Sequence, residues 1–251
     1  LYHRVDITRP DTLKGSCEGA EVVISTVGLT KASTTVTNEQ IDYQGNVNLL
    51  KEAALAGVKH FVYVSVVKAD KVADVPMVST KFRFEQELKQ QQNKSGMEYT
   101  ILRPTGYFYD IVKVFRPMVE KGTVNLLGHK AVHANVIATE DLAEFIEAHM
   151  MDHNKTYEIG GKETYSYEEI AGMCFQAAEK QVRIRRCPAF LFTVLAWISH
   201  VKHNGREAVI RFSRWTLSED MIGSTRYGRH SFKQYIYDSF QETSDTKGEN
   251  K

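Results

Sequence analysis

The sequence has no surplus of either charge. Lysine and arginine number 32 against 31 aspartate and glutamate, a formal net charge of +1 over 251 residues. Neutralising nucleic-acid phosphates takes a basic surplus, so no nucleic-acid partner is expected. Cysteine is scarce: Cys17, Cys174 and Cys187 are odd in number and show no CxxC spacing. A disulfide framework or a zinc site is therefore a poor reading, and a reducing, cytoplasmic setting is expected. The histidines are scattered without an HExxH pairing, so no metal is expected. Long apolar runs are missing too. The longest, Pro188–Ser199, falls well short of the ~20 residues that cross a bilayer. No transmembrane segment is expected, and this run reads as a buried helix or a docking surface.

What is present is ordinary globular composition, 42% hydrophobic and 25% charged, enough for a sizeable core. Glu21–Gly28, Lys59–Ser65 and Glu98–Pro104 are short runs rich in β-branched and apolar residues and read as strands. Helical spacing covers 39–57, where Gly57 supplies the stop, and 78–92. Strands apolar on both faces and separated by helices imply a parallel sheet covered on both sides. Right-handed crossovers make it a doubly wound α/β sheet, and ligands bind such sheets beyond the carboxyl ends of the strands. Those ends are Gly28, Ser65 and Pro104. The second half is less regular. Short strands are predicted over 123–127, 132–137, 157–161 and 181–186, with a helix over 139–150. Ser166 and Glu169 have capping-box spacing and open a helix to Ala178.

Six stretches in order resemble the NmrA-like, atypical branch of the short-chain dehydrogenase/reductase superfamily. They are Val5–Thr8, Glu21–Gly28, Asp42–Leu50, Gly57–Ser65, Tyr99–Gly106 and Tyr157–Gly161. The resemblance implies a Rossmann-like NAD(P)-binding domain over 1–155, a smaller substrate-binding part over 156–240 and a disordered tail over 241–251. Family members begin with a strand and a GxxGxxG turn that seats the pyrophosphate. None precedes Leu1, so the expectation is a chain truncated by roughly 40–60 residues, since a βαβ unit takes ~30. Dinucleotide binding by such a chain is expected to be impaired. The cofactor implied is NADP or NAD, with NADP slightly ahead.

The resemblance also assigns residues. Asp6 would accept a hydrogen bond from the adenine amino group; the alternative is an N-cap for a helix over 11–17. Thr26, Val27 and Gly28 would run beside the adenosine ribose, with Gly28 allowing close backbone approach; the alternative is a plain turn. Ser65 would help polarise a carbonyl, or simply form a turn. Asn46 and Asn48 read as structural ties for neighbouring loops. Lys81 shares a helical face with Met77, Phe84 and Leu88. In the superfamily the Lys of a Tyr-x-x-x-Lys motif holds the nicotinamide ribose, so Lys81 is read as a ligand contact; the alternative is a stem that packs while its ammonium reaches water. Pro104, Thr105 and Gly106 would lie near the nicotinamide. Arg103 is either part of that region or a structural ion-pair partner.

One departure bears on function. Met77 stands where the motif has Tyr, and a thioether donates no proton. Tyr107, in the loop after Gly106, is the candidate replacement donor, with Tyr109 beside it; both also suit the lining of an apolar site. The primary expectation is an NAD(P)-dependent oxidoreductase acting on a small-molecule substrate through Lys81, Ser65 and Tyr107. The alternative is a non-catalytic dinucleotide-binding regulator or assembly factor. A sugar-nucleotide epimerase or dehydratase needs the missing Tyr and is disfavoured. Oligomeric state is left open.

Overall fold

The computed structural model describes residues 2–188, 190–202 and 205–248. Its central sheet has the order β1-β2-β3-β6-β9, formed by Val22–Ser25, His60–Val64, Glu98–Pro104, Lys155–Gly160 and Thr225–Arg226. β1 pairs β2 from Val22↔His60 to Ser25↔Tyr63, and β2 pairs β3 from His60↔Glu98 to Val64↔Leu102, both parallel. The doubly wound, Rossmann-like expectation holds. Every residue of β2 is buried, as required of a strand covered on both faces. Phe61, Tyr63 and Ile101 form one core with Leu50 and Ala53 of α2 (Asn46–Leu55) and with Phe84 and Leu88 of α3 (Pro76–Ser95). His60 and Thr100 are fully buried too, their side chains 2.9 Å apart, and the Thr100 hydroxyl also donates to the carbonyl of Asp152 at 3.0 Å.

Several elements depart from the sequence-based spans. No strand precedes Asp6 among the described residues, and α1 is a single turn, Pro10–Leu13. The helix predicted over 39–57 splits. A π-helical segment, Glu39–Gly45, leads into α2. A π-turn shifts the register of side chains and often marks a functional site; here it accompanies the burial of Asn38, Asp42 and Asn46. α3 is longer than predicted. It opens on Pro76, whose fixed φ suits a first helical position, and closes on Gly96 in a left-handed cap, where φ is 73°.

The chain divides into two compact units. One holds Leu1–Arg103, Glu147–Glu158 and Phe192–Ser213; the other holds Pro104–Ile146, Ile159–Leu191 and Arg214–Lys251. The sequence-based division is a single cut near residue 155. The units interleave instead, because the chains of β3 and β6 each run from one into the other. Within the second unit, α4 (Phe108–Glu120), the first part of α5 (Thr139–His149) and α6 (Tyr167–Ala177) accompany two small sheets. β4 (Val124–Leu127) pairs β8 (Ile184–Cys187), and β5 (His133–Ala134) pairs β7 (Tyr165–Ser166). The capping box forms: Glu169 N–H donates to the Ser166 hydroxyl, and Ser166 N–H donates to the Glu169 carboxylate. α7 (Phe190–Val201) and α8 (Glu207–Thr216) follow β8. The buried-helix reading of the apolar run fails, since Phe190 and Trp197 of α7 are exposed. The last helix, α9 (Phe232–Gly248), extends beyond Gln241, and residues 249–251 of the expected tail lie outside the described residues.

Burial lowers the pKa of His60, and the nearby Glu98 carboxylate only partly opposes it. A depressed folded-state pKa means the neutral ring contributes stability above the unfolded value near ~6.5. That contribution is lost as pH falls through the folded value. In thermal melts, as pH falls from about 6.5 toward the folded value, the protein is expected to lose Tm more steeply than a His60→Gln variant; parallel slopes would refute the assignment.

Candidate functional site

The end of β1 is built around polar side chains that have no access to water. Ser25 donates its hydroxyl hydrogen to Asn46 Oδ1 at 2.6 Å, and Asn46 Nδ2 donates to the carbonyl of Asp42 at 2.9 Å. Asp42 is 1% exposed in its side chain. Its Oδ2 accepts from the Leu29 N–H at 3.0 Å and from Asn38 Nδ2 at 3.0 Å. Its Oδ1 faces the Lys81 ammonium at 3.3 Å. That oxygen has no aligned hydrogen-bond donor among the described residues, so the contact is an ion pair without a well-directed hydrogen bond. Lys81 is 14% exposed in its side chain, and its ammonium also lies 5.4 Å from the centre of the Tyr63 ring. Lys81 is thus held by Asp42 rather than reaching into bulk water.

Gly28 lies directly beneath this pair. A Cβ there would stand 2.8 Å from Lys81 Nζ and 3.0 Å from Asp42 Oδ1. The glycine expected for close approach to a ligand is therefore needed first for the approach of Lys81 and Asp42. Thr26 is exposed and Val27 half-buried beside it. Asn48 donates to the carbonyl of Ile7 at 3.1 Å and ties down the segment that carries Asp6. Asp6 itself is exposed. Its Oδ1 accepts from the Thr8 N–H and hydroxyl at 2.9 and 2.7 Å, bonds that hold its carboxyl below the usual range. Asp6 does not cap α1, whose N-cap is Arg9.

Ser65 belongs to a second buried centre in the same unit. Its hydroxyl donates to Glu85 Oε1 at 2.6 Å. Glu85 is fully buried and is clamped by Arg103 through Nε at 3.0 Å and Nη2 at 2.7 Å. Arg103 Nη1 also reaches Asp70 at 3.0 Å and Glu158 at 3.5 Å. Burial opposes the guanidinium charge, but these three carboxylates outweigh it and hold the Arg103 pKa above its ordinary value. Arg103 is the structural ion-pair partner. The Tyr63 hydroxyl is buried without a hydrogen-bond partner among the described residues. Burial first, then Asp42 and Glu85, push its pKa well up, so the phenol keeps its proton.

The second unit carries the other expected residues. The buried Thr105 donates its hydroxyl hydrogen to the carbonyl of Asn135 at 2.8 Å, and its N–H donates to the carbonyl of Ile159 at 3.1 Å. Gly106 has φ 143°, a conformation L side chains rarely adopt. Its carbonyl accepts from Ile137 N–H at 2.9 Å. The backbone from Pro104 to Phe108 is thereby pinned. Tyr107 stacks on Tyr109, with ring centres 5.6 Å apart. Burial, then Tyr109 and Asp110, raise the Tyr107 pKa, so the phenol keeps its proton and is a weaker acid than a free tyrosine.

Sequence reasoning missed Asp42, Glu85 and Tyr63. A signal for Asp42 existed: Asn38, Asp42 and Asn46 recur every four residues, a polar stripe on what reads as one helical face. Glu85 carried none, being one carboxylate in a Glu- and Gln-rich helix. A cleft of about 390 Å³ opens beside the Lys81 centre, within the first unit. Leu29, Thr37, Asn38, Thr80 and Arg83 are among its lining residues. Arg83 is fixed there by Glu39 at 2.7 Å and by the Tyr43 ring at 3.9 Å.

Two stability outcomes follow from the buried centres. Arg103→Met strands the Glu85 charge and should cost about 3–5 kcal/mol in denaturant unfolding. Pairing it with Glu85→Leu should recover most of that, and an additive loss would refute the ion-pair account. Tyr63→Phe removes a hydroxyl that satisfies nothing, so its Tm should match or exceed that of the parent. A clear fall in Tm would show that the hydroxyl has a partner.

The chain matches the model of the NmrA-like family over residues 4–217. It is 26% identical over 196 residues to the photosystem II assembly factor Ycf39 of Trieres chinensis, covering 77% of this chain and 60% of that protein. It is 31% identical over 166 residues to the chloroplastic divinyl chlorophyllide a 8-vinyl-reductase of Arabidopsis thaliana, covering 61% of this chain and 38% of the reductase. In each case the chain spans less than two thirds of the relative's length. Among solved structures, it superposes on an NADPH-dependent quinone oxidoreductase of Escherichia coli complexed with NADPH at a TM-score of 0.66 and 18% identity. That match covers 96% of this chain and 82% of the oxidoreductase, and it bears on the fold. The family model spans most of the chain, and the chain belongs to the NmrA-like family.

Proposed function

We propose that this protein binds NAD(P) and works as a dinucleotide-binding regulator or assembly factor, without a Ser/Tyr/Lys dehydrogenase relay. One observation carries the reading: the side chains such a relay would use are already engaged. Ser65 donates its hydroxyl hydrogen bond to Glu85, Lys81 is paired with Asp42, and Met77 has no proton to give. The Ycf39 relatives are photosystem II assembly factors by name, which supports it.

The residues present fit a dinucleotide. The bare backbone of Gly28 lies under the Lys81 ammonium, and Asp42 Oδ1 is a buried acceptor with no aligned donor. Asp6, Thr26, Val27, Gly28, Ser65 and Lys81 are the proposed contacts in the first unit. When bound, the nicotinamide would supply hydride chemistry. Lys81, oriented by Asp42, would meet ribose hydroxyls; the Gly28 turn would let the ligand approach the backbone. NADP is proposed ahead of NAD. The free thiols of Cys17, Cys174 and Cys187 suit a reducing compartment, the cytoplasm or an organelle interior.

A second reading, an NAD(P)-dependent reductase of a small-molecule substrate, draws on Tyr107, a phenol in the loop after Gly106 that could donate a proton in place of Met77. The match to the vinyl-reductase supports it. Titration of NADPH and NADH into the protein, followed by a panel of ketones and enones, separates the two. With no GxxGxxG turn in this chain to seat the pyrophosphate, the proposal expects weak but saturable binding, tighter for NADPH, with no substrate-dependent oxidation. Turnover that falls about 10²–10⁴-fold in Tyr107→Phe would replace it with the reductase. Absence of binding to either nucleotide would overturn both.

A further inference from the structure

α7 is inside out. At ~100° per residue, Phe190, Leu191, Val194, Leu195 and Trp197 fall on one arc of the helix. They are 63%, 41%, 45%, 50% and 66% exposed. The opposite face buries Ala196 and Ser199. A helix of a water-soluble surface has the reverse arrangement, and a contiguous apolar face of this size on a monomer marks an interaction site. Its surroundings in sequence are also exceptional. The chain as a whole is balanced in charge, yet residues 183–214 hold seven lysine and arginine residues against one acid, Glu207. Arg185 just before the helix and Lys202 just after it are exposed.

We propose that α7 lies flat in the headgroup region of an anionic lipid surface. The five apolar side chains would enter the acyl boundary while the flanking cations meet lipid phosphates. Length fixes the orientation. The twelve residues of α7 extend roughly 18 Å, against a hydrocarbon core of ~30 Å. Among the described residues no helix is long and apolar enough to cross a membrane. An apolar face with a tryptophan, bracketed by basic residues, is the arrangement of interfacial helices. Docking against a second copy of this chain is disfavoured, because it would set one cationic flank against another.

Co-sedimentation of the protein with vesicles tests this. Vesicles of phosphatidylcholine with added phosphatidylglycerol should carry the protein down; vesicles of phosphatidylcholine alone should not. Binding should weaken as salt is raised. In a Trp215→Phe background, Trp197 fluorescence should shift to the blue on adding the anionic vesicles. Val194→Glu/Leu195→Glu should abolish both signals with an unchanged melting temperature, since both positions are exposed. Equal binding to both vesicle types, no binding to the anionic ones, or undiminished binding by the double variant overturns the proposal. So does a blue shift that grows with protein concentration in the absence of lipid, which would assign α7 to self-association.

Discussion

Glu85 is a carboxylate with no exposure, and the first unit is arranged around keeping it satisfied. It sits on α3, takes the Ser65 hydroxyl from the end of β2, and is clasped by Arg103 from β3. Arg103 in turn reaches Asp70 and Glu158. A helix and three strands of one sheet are therefore tied to a single guanidinium. Removing either member leaves the other charged and buried, whereas removing both leaves a gap that apolar side chains could fill. Such a pair does more to specify the register of α3 against the sheet than to add net stability.

The same logic applies one turn earlier on α3. Lys81 and Asp42 are a second buried pair, set against a glycine that cannot be replaced without moving one of them. Two adjacent ion pairs use up the side chains that the family resemblance marks as chemical. Ser65 is committed to Glu85, and Lys81 to Asp42.

The sheet was legible because its signal is local. Glu98–Pro104 was predicted to the residue and Lys59–Ser65 nearly so, since continuous apolar runs bounded by turn residues have few other interpretations. The capping box at Ser166 was equally readable, because its chemistry lies within four residues. The π-helical segment was not, because its pattern is close to that of an α-helix. Glu85 and Asp42 were not, because their meaning lies in partners 18 and 39 residues away in sequence. For α7 the sequence states hydrophobicity but not direction. Whether an apolar helix faces in or out depends on whether the remaining elements have a surface left to cover it.

The Lys81–Asp42 pair also alters what an arriving molecule meets. A lone ammonium at the end of a strand is a magnet for phosphate. Here the ammonium stands 3.3 Å from a carboxylate oxygen that balances it. Seen from the Gly28 turn, the pair is a dipole with no net charge. The carboxylate is closed to solvent, so an arriving ligand meets the ammonium alone, with its charge already balanced from behind. A neutral hydroxyl can still accept from it, while an anion gains less there than from an unpaired lysine.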